Sequence, residues 1–181
     1  MVSDLQRRSA PIYWTDFLLS CSAGWALAFY WFNAPLGQPL AWLALLGSAI
    51  AFFRAGTFIH EIIHFRNGEL AWFARAWNLF MGIPLLMPWI LYRNHVEHHS
   101  VRYFGTPEDG EYLPLASAPP IETVKYILQT PALPVLTLLR FGVGAPISWF
   151  HQGLREWLLT AASAGVINPY YRKRFAKSDE R

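Results

Sequence analysis

Between Leu40 and His64 the chain stays apolar long enough to cross a lipid bilayer, and it closes on His60-Glu61-Ile62-Ile63-His64. As one helix this run measures about 37 Å at roughly 1.5 Å per residue, more than a hydrocarbon core of about 30 Å, so His60 and His64 stand at the membrane mouth. A second cluster follows, His95-Val96-Glu97-His98-His99, and together the two hold five of the six histidines. Histidines three or four apart project from one helix face, so each cluster offers several imidazole nitrogens to one small volume. Neutral imidazole suits iron, zinc and copper, with its second ring nitrogen held by another partner. Two clusters imply two metals, with His60, His64, His95, His98 and His99 as ligands.

Taken alone, His60-Glu61-x-x-His64 also fits a zinc protease, in which two histidines bind the metal and Glu61 serves as base. That alternative, an intramembrane zinc metalloprotease, needs a third ligand on a later membrane helix, and no acid or histidine stands out there. The second cluster does not complete it, because Glu97 lies between histidines and five imidazoles exceed what a three-ligand catalytic zinc takes. Glu61 and Glu97 read instead as carboxylates that orient imidazoles, and Asn94 as a hydrogen-bond donor beside the metals.

An H-x-x-x-H box closing an apolar helix, followed by H-x-x-H-H, resembles the membrane fatty acid desaturase and hydroxylase superfamily. The flanks extend the resemblance: Asn94, the stretch Gly105-Thr106-Pro107-Glu108-Asp109-Gly110-Glu111-Tyr112, and Ile167-Asn168-Pro169-Tyr170-Tyr171-Arg172 all look like bacterial-type members. The resemblance implies a non-haem di-iron centre with dioxygen as co-substrate and a lipid acyl chain as substrate. It implies a separate electron carrier of the ferredoxin, rubredoxin or cytochrome b5 type. It also implies a third histidine box beyond two further membrane helices, and these 181 residues carry none. The chain is therefore expected to be a truncated or split member whose missing ligands come from a dimer or a partner fragment, or else an inactive, partial membrane subunit.

With 54% hydrophobic and only 15% charged residues, the chain is too apolar for an ordinary soluble domain and reads as an integral, multi-pass membrane protein. Tyr13 to Phe32 supplies another span, carrying one charge, Asp16, between aromatic ends. A signal peptide is the rival reading, but Asp16 leaves almost no apolar run ahead of Cys21 and the stretch continues past Ala28. The turn Asn33 to Pro39 joins the two spans into a hairpin. Cations at Arg7, Arg8, Arg172, Lys173, Arg174 and Lys177 flank apolar segments, which puts both termini and the histidine boxes on the cytoplasmic side. They line no polar groove, so no nucleic-acid partner is expected. The single Cys21 rules out an internal disulfide.

Arg54 lies below His60, where a charge snorkels or finds a structural partner. Asn67-Gly68 offers a helix stop. Leu70 to Tyr92 is too short for two crossings, and a single crossing would put the boxes on opposite sides; an interfacial or re-entrant path is expected, with Gly82, Pro84 and Pro88 along it. Tyr103 to Pro120 reads as a loop whose acids, Glu108, Asp109 and Glu111, are solvated, with support of a metal-bound histidine as the functional alternative. Residues 121–167, broken by Lys125, Arg140 and prolines, read as interfacial helices, and His151 as a lone interfacial residue. The expected fold is an all-α membrane protein: a two-helix transmembrane hairpin with a cytoplasmic, interfacial helical cap carrying the histidine boxes. Its parts are the N-terminus 1–12, the hairpin 13–64, the interfacial segment with the second box and loop 65–120, and the helices and basic tail 121–181.

The chemistry expected from the resemblance is oxidation of an acyl chain, by desaturation or hydroxylation. An unactivated methylene has no acidic proton for an acid or base to work on, so a metal and dioxygen are required.

Overall fold

The computed structural model describes residues 8–66, 68–89, 92, 94–106, 108–113, 115, 117–164, 168 and 171–173. Arg7, Asn67, Pro107, Ile167, Pro169, Tyr170, Arg174 and Lys177 lie outside the described residues, as does the side chain of Asn94. Every regular element among the described residues is helical. The chain divides into two compact units, Met1–Tyr92 and Arg93–Arg181.

The first unit is built on a helical hairpin. Helix α1, Ala10–Asn33, starts with a proline in its first turn and ends at Ala34, ahead of Pro35. Helix α2, Pro39–Gly56, again starts on proline, where the missing N–H has no helical partner to lose. Small buried residues let the helices approach: Ser20, Gly24 and Ala28 on α1, and Ala41, Ala44 and Ser48 on α2. Ser48 Oγ donates to the Gly24 carbonyl at 3.0 Å, and a Cβ on Gly24 would stand 2.6 Å from the Phe52 ring. Arg54 finds its structural partner here, since its guanidinium pairs with Asp16 of α1.

Helix α3, Phe58–Ile63, follows α2 after a single turn residue, Thr57. Together they make the run Pro39–Ile63, 25 residues long and apolar enough to cross a membrane. The chain then reverses through left-handed Gly68 and Leu70 into α4, Ala71–Trp77. A π-turn over Asn78–Gly82 and a left-handed Leu86 complete the irregular path expected between the boxes. This segment folds back on the hairpin. Phe73, Trp77 and Met81, all 0% exposed, join Phe17, Ala55, Phe58 and Ile62 in the core. Phe73 meets Phe17 and Phe58 edge-on at centroid distances of 5.4 and 5.2 Å, and Trp77 Nε1 donates to the Ala55 carbonyl at 2.7 Å.

The second unit opens with α5, Asn94–His98, followed by turns through residue 113. Then come α6, Pro120–Gln129, a 3₁₀ turn at Thr130–Ala132, α7, Leu133–Thr137, a π-helical stretch Leu138–Gly144, and α8, Ala145–Ile147. Where the sequence reads as separate interfacial pieces, these segments form one continuous run. Pro120–Ile147 is 28 residues long and apolar enough to cross a membrane. The prolines do not interrupt it because Pro131, Pro134 and Pro146 each sit in the first turn of a new segment. Helix α9, Gln152–Thr160, is capped by His151, whose Nδ1 accepts from the Leu154 N–H at 3.0 Å. The lone histidine therefore has a structural role in starting a helix.

Candidate metal centre

The first box sits at the end of the hairpin. His60 lies within α3 and His64 is its C-terminal cap, so a single turn brings the two rings to a centroid distance of 5.1 Å. Each offers a ring nitrogen within 4.8 Å of the other. Glu61 accepts a hydrogen bond from the Tyr13 hydroxyl at 3.0 Å and lies 3.9 Å from Arg8 Nε. Arg8 also donates to Glu69 at 2.8 Å and to the His64 carbonyl at 3.4 Å. These contacts fix the backbone around the box. Beside it opens a cleft of about 620 Å³, lined among others by Tyr13, Asp16, Arg54, Thr57, Ile59 and His60.

The second box is held differently. On α5, His95 Nδ1 lies 2.7 Å from Glu111 Oε2, and His98 Nδ1 lies 2.8 Å from Asp109 Oδ2. A carboxylate on Nδ1 keeps the proton there and turns Nε2 outward as a neutral, more basic donor. His99 Nε2 stands 2.9 Å from His95 Nε2. Two imidazoles on one ion, at bond lengths of about 2.1 Å and right angles, would place their nitrogens about 3.0 Å apart. The donor set therefore fits a first-row metal; neutral imidazoles backed by carboxylates suit iron, and equally zinc or copper.

The loop acids are part of the site. Asp109 is 0% exposed; its Oδ2 also accepts from the Gly105 N–H at 3.1 Å and its Oδ1 from the Glu111 N–H at 3.0 Å. Burial by itself would raise the Asp109 carboxyl, but the Glu111 N–H, the His98 ring and the Gly105 N–H outweigh it and hold the group below the ordinary carboxylate range. Gly110 lets this loop lie close against the following chain, since a Cβ there would meet Ala164 at 3.2 Å and the Tyr171 ring at 3.3 Å. Asn168 Nδ2 donates to the Tyr112 carbonyl at 2.9 Å, which ties down the same loop.

Reading those acids as solvated is thus corrected for Asp109 and Glu111: each is spent on an imidazole. Their signal was already in the sequence, as the acid-rich stretch a short loop after the second box. Glu97 is paired with Lys173 at 3.4 Å. Burial, followed by the Glu97 and Asp109 charges and Tyr103, raises the Tyr171 hydroxyl above its ordinary pKa.

A family model described as fatty acid desaturase matches residues 37–179. The chain is 34% identical over 173 residues to a ceramide hydroxylase from Caulobacter vibrioides (strain NA1000 / CB15N), an alignment that covers 93% of this chain and 48% of that protein. The chain thus spans about half the length of the curated relative it matches. No solved structure matches. The family match covers both histidine boxes, the acid loop that holds the second and the long apolar runs, so the chain belongs to the fatty acid desaturase family, within the membrane desaturase and hydroxylase superfamily.

Proposed function

We propose that this chain carries the iron-binding part of a membrane oxidoreductase that hydroxylates a lipid acyl chain with dioxygen, and that His60, His64, His95, His98 and His99 hold the iron. The observation that carries the proposal is the pair of carboxylates, Glu111 and Asp109, on the Nδ1 atoms of His95 and His98. Metal-ligating histidines characteristically present their other ring nitrogen to such a carboxylate. Bound iron would supply what acids and bases lack, activation of dioxygen toward an unactivated C–H bond. One oxygen atom would enter that bond and the other leave as water, with two protons and with two electrons from a ferredoxin-, rubredoxin- or cytochrome b5-type carrier.

The protein's own residues supply position and protonation state. Asp109 and Glu111 keep the His98 and His95 protons on Nδ1, and Tyr13, Arg8 and Glu69 brace the turn that ends in His64. The likeness to a ceramide hydroxylase favours hydroxylation over desaturation. The histidine boxes face the cytoplasm in this proposal.

The test is metal content. The chain, purified in detergent and supplied anaerobically with ferrous iron, is expected to hold close to two irons per polypeptide, and the His95→Ala, His98→Ala double variant to lose them. Unchanged iron in the double variant sinks the shared centre. Zinc in place of iron, retained in that variant, would support the protease alternative.

A further inference from the structure

Beside the first box, the cleft of about 620 Å³ has a divided lining. Ile12, Phe58, Ile59 and Tyr92 make it apolar, Asp16, Arg54 and Thr57 give it a polar end, and His60 and Glu61 also face into it. Its volume suits a ligand, since sites of about 300–1,000 Å³ hold small molecules. The polar end is reachable: the Arg54 side chain is 56% exposed and that of Asp16 29%. The Arg54 guanidinium also lies over the Phe58 ring, 5.3 Å from its centroid, which holds it at the cleft wall.

Resting on the oxidoreductase reading above, we infer that this cleft binds the head of the lipid substrate, and that Asp16 and Arg54 select a neutral head carrying both hydroxyl and amide groups, the chemistry of a ceramide. The selection is electrostatic. A lone arginine would attract a phosphate, but here the Asp16 carboxylate cancels its charge and repels a second anion. A neutral amide with neighbouring hydroxyls matches the pair instead: O–H and N–H groups donate to the carboxylate, and the carbonyl accepts from the guanidinium. Ile12, Ile59 and Phe58 then offer apolar contact to the bound lipid. The polar end and His60 share one cleft, so a bound head lies beside the first box.

Binding is measured on the full chain in phosphatidylcholine nanodiscs, with and without iron, using a fluorescent short-chain ceramide that quenches tryptophan. The wild-type chain is expected to bind saturably, and phosphatidic acid not to compete. The Asp16→Asn, Arg54→Gln double variant should weaken binding at least roughly tenfold, as loss of a charge-assisted hydrogen bond does. The same loss is expected in Ile12→Trp, which narrows the cleft from a side chain that is 67% exposed and leaves the ion pair intact. If the double variant fails to fold, Ile12→Trp decides. Unchanged ceramide affinity in folded Ile12→Trp, or competition by phosphatidic acid as strong as by ceramide, overturns the inference. Ceramide binding lost as expected in a chain that takes up no iron would leave the cleft standing and remove the oxidoreductase reading; full iron with binding indifferent to both variants would do the reverse.

Discussion

The two histidine boxes are held by different forces. The first is held through its backbone: α3 buries Phe58 and Ile62 in an aromatic core, and Arg8, Glu69 and Tyr13 brace the turn around it. The second is held through its imidazoles, by two carboxylates from a loop 11 and 16 residues further on. Exposure does not follow this division: His60 of the first box and His99 of the second are both exposed, and only His95 is buried, at 6%. A box at the end of a packed hairpin needs little side-chain support, because the helix already fixes where its Cβ atoms point. A box on a five-residue helix has no such frame and takes its geometry from hydrogen bonds.

The largest effect expected from this contrast is in the first unit. Trp77→Ala removes a fully buried ring and its bond to the Ala55 carbonyl, at a cost of about 3–5 kcal/mol. Hydrogen exchange on the purified chain should show lost protection in α2 to α4, with protection around His98 and Tyr112 retained. Equal loss in both regions would erase the distinction.

Next comes Asp109→Asn, which leaves the helices intact but replaces the acceptor on His98 Nδ1. Metal affinity, read by chelator competition, should fall by about 10–100-fold, the usual cost of losing a carboxylate behind a ligating histidine. A similar fall in Glu61→Gln would show that the first box depends on its carboxylate in the same way.

The pH dependence has a definite sign. Because the folded Asp109 carboxyl sits below its ordinary value of 3.8, its contribution to stability is fully present above that value and is lost as pH falls through the folded pKa. Thermal melts of the metal-free chain should show an acid-side decline below about pH 4, and Asp109→Asn should flatten it. The smallest effect belongs to Glu97→Gln. Its side chain is 41% exposed and pairs with Lys173, so the cost is under about 1 kcal/mol with metal affinity unchanged. A tenfold loss of metal there would return Glu97 to the role of orienting an imidazole.

What the sequence determined by itself is local. Histidines at i, i+3 and i+4 share a helix face in any helix, so the clustering of imidazoles within each box was legible from spacing. The hairpin was legible because long apolar runs flanking a proline- and glycine-containing turn have few other ways to bury themselves. The segment from Leu70 to Tyr92 was legible as irregular because it is too short for two crossings while a single one would part the boxes, and its glycine and prolines suit such a path.

Tertiary structure decided whatever depends on which distant groups meet. Asp109 and Glu111 look like ordinary loop acids until the loop folds back on α5, and Arg54 reads equally as snorkelling or paired until α1 sets Asp16 beside it. The continuity of Pro120–Ile147 was hidden for a related reason: a proline breaks a helix interior but is harmless in the first turn of a new segment. Only the three-dimensional path shows which of these positions Pro131, Pro134 and Pro146 occupy. Periodicity records the geometry of one element, whereas the partner of a charge is set by packing between elements far apart in the chain.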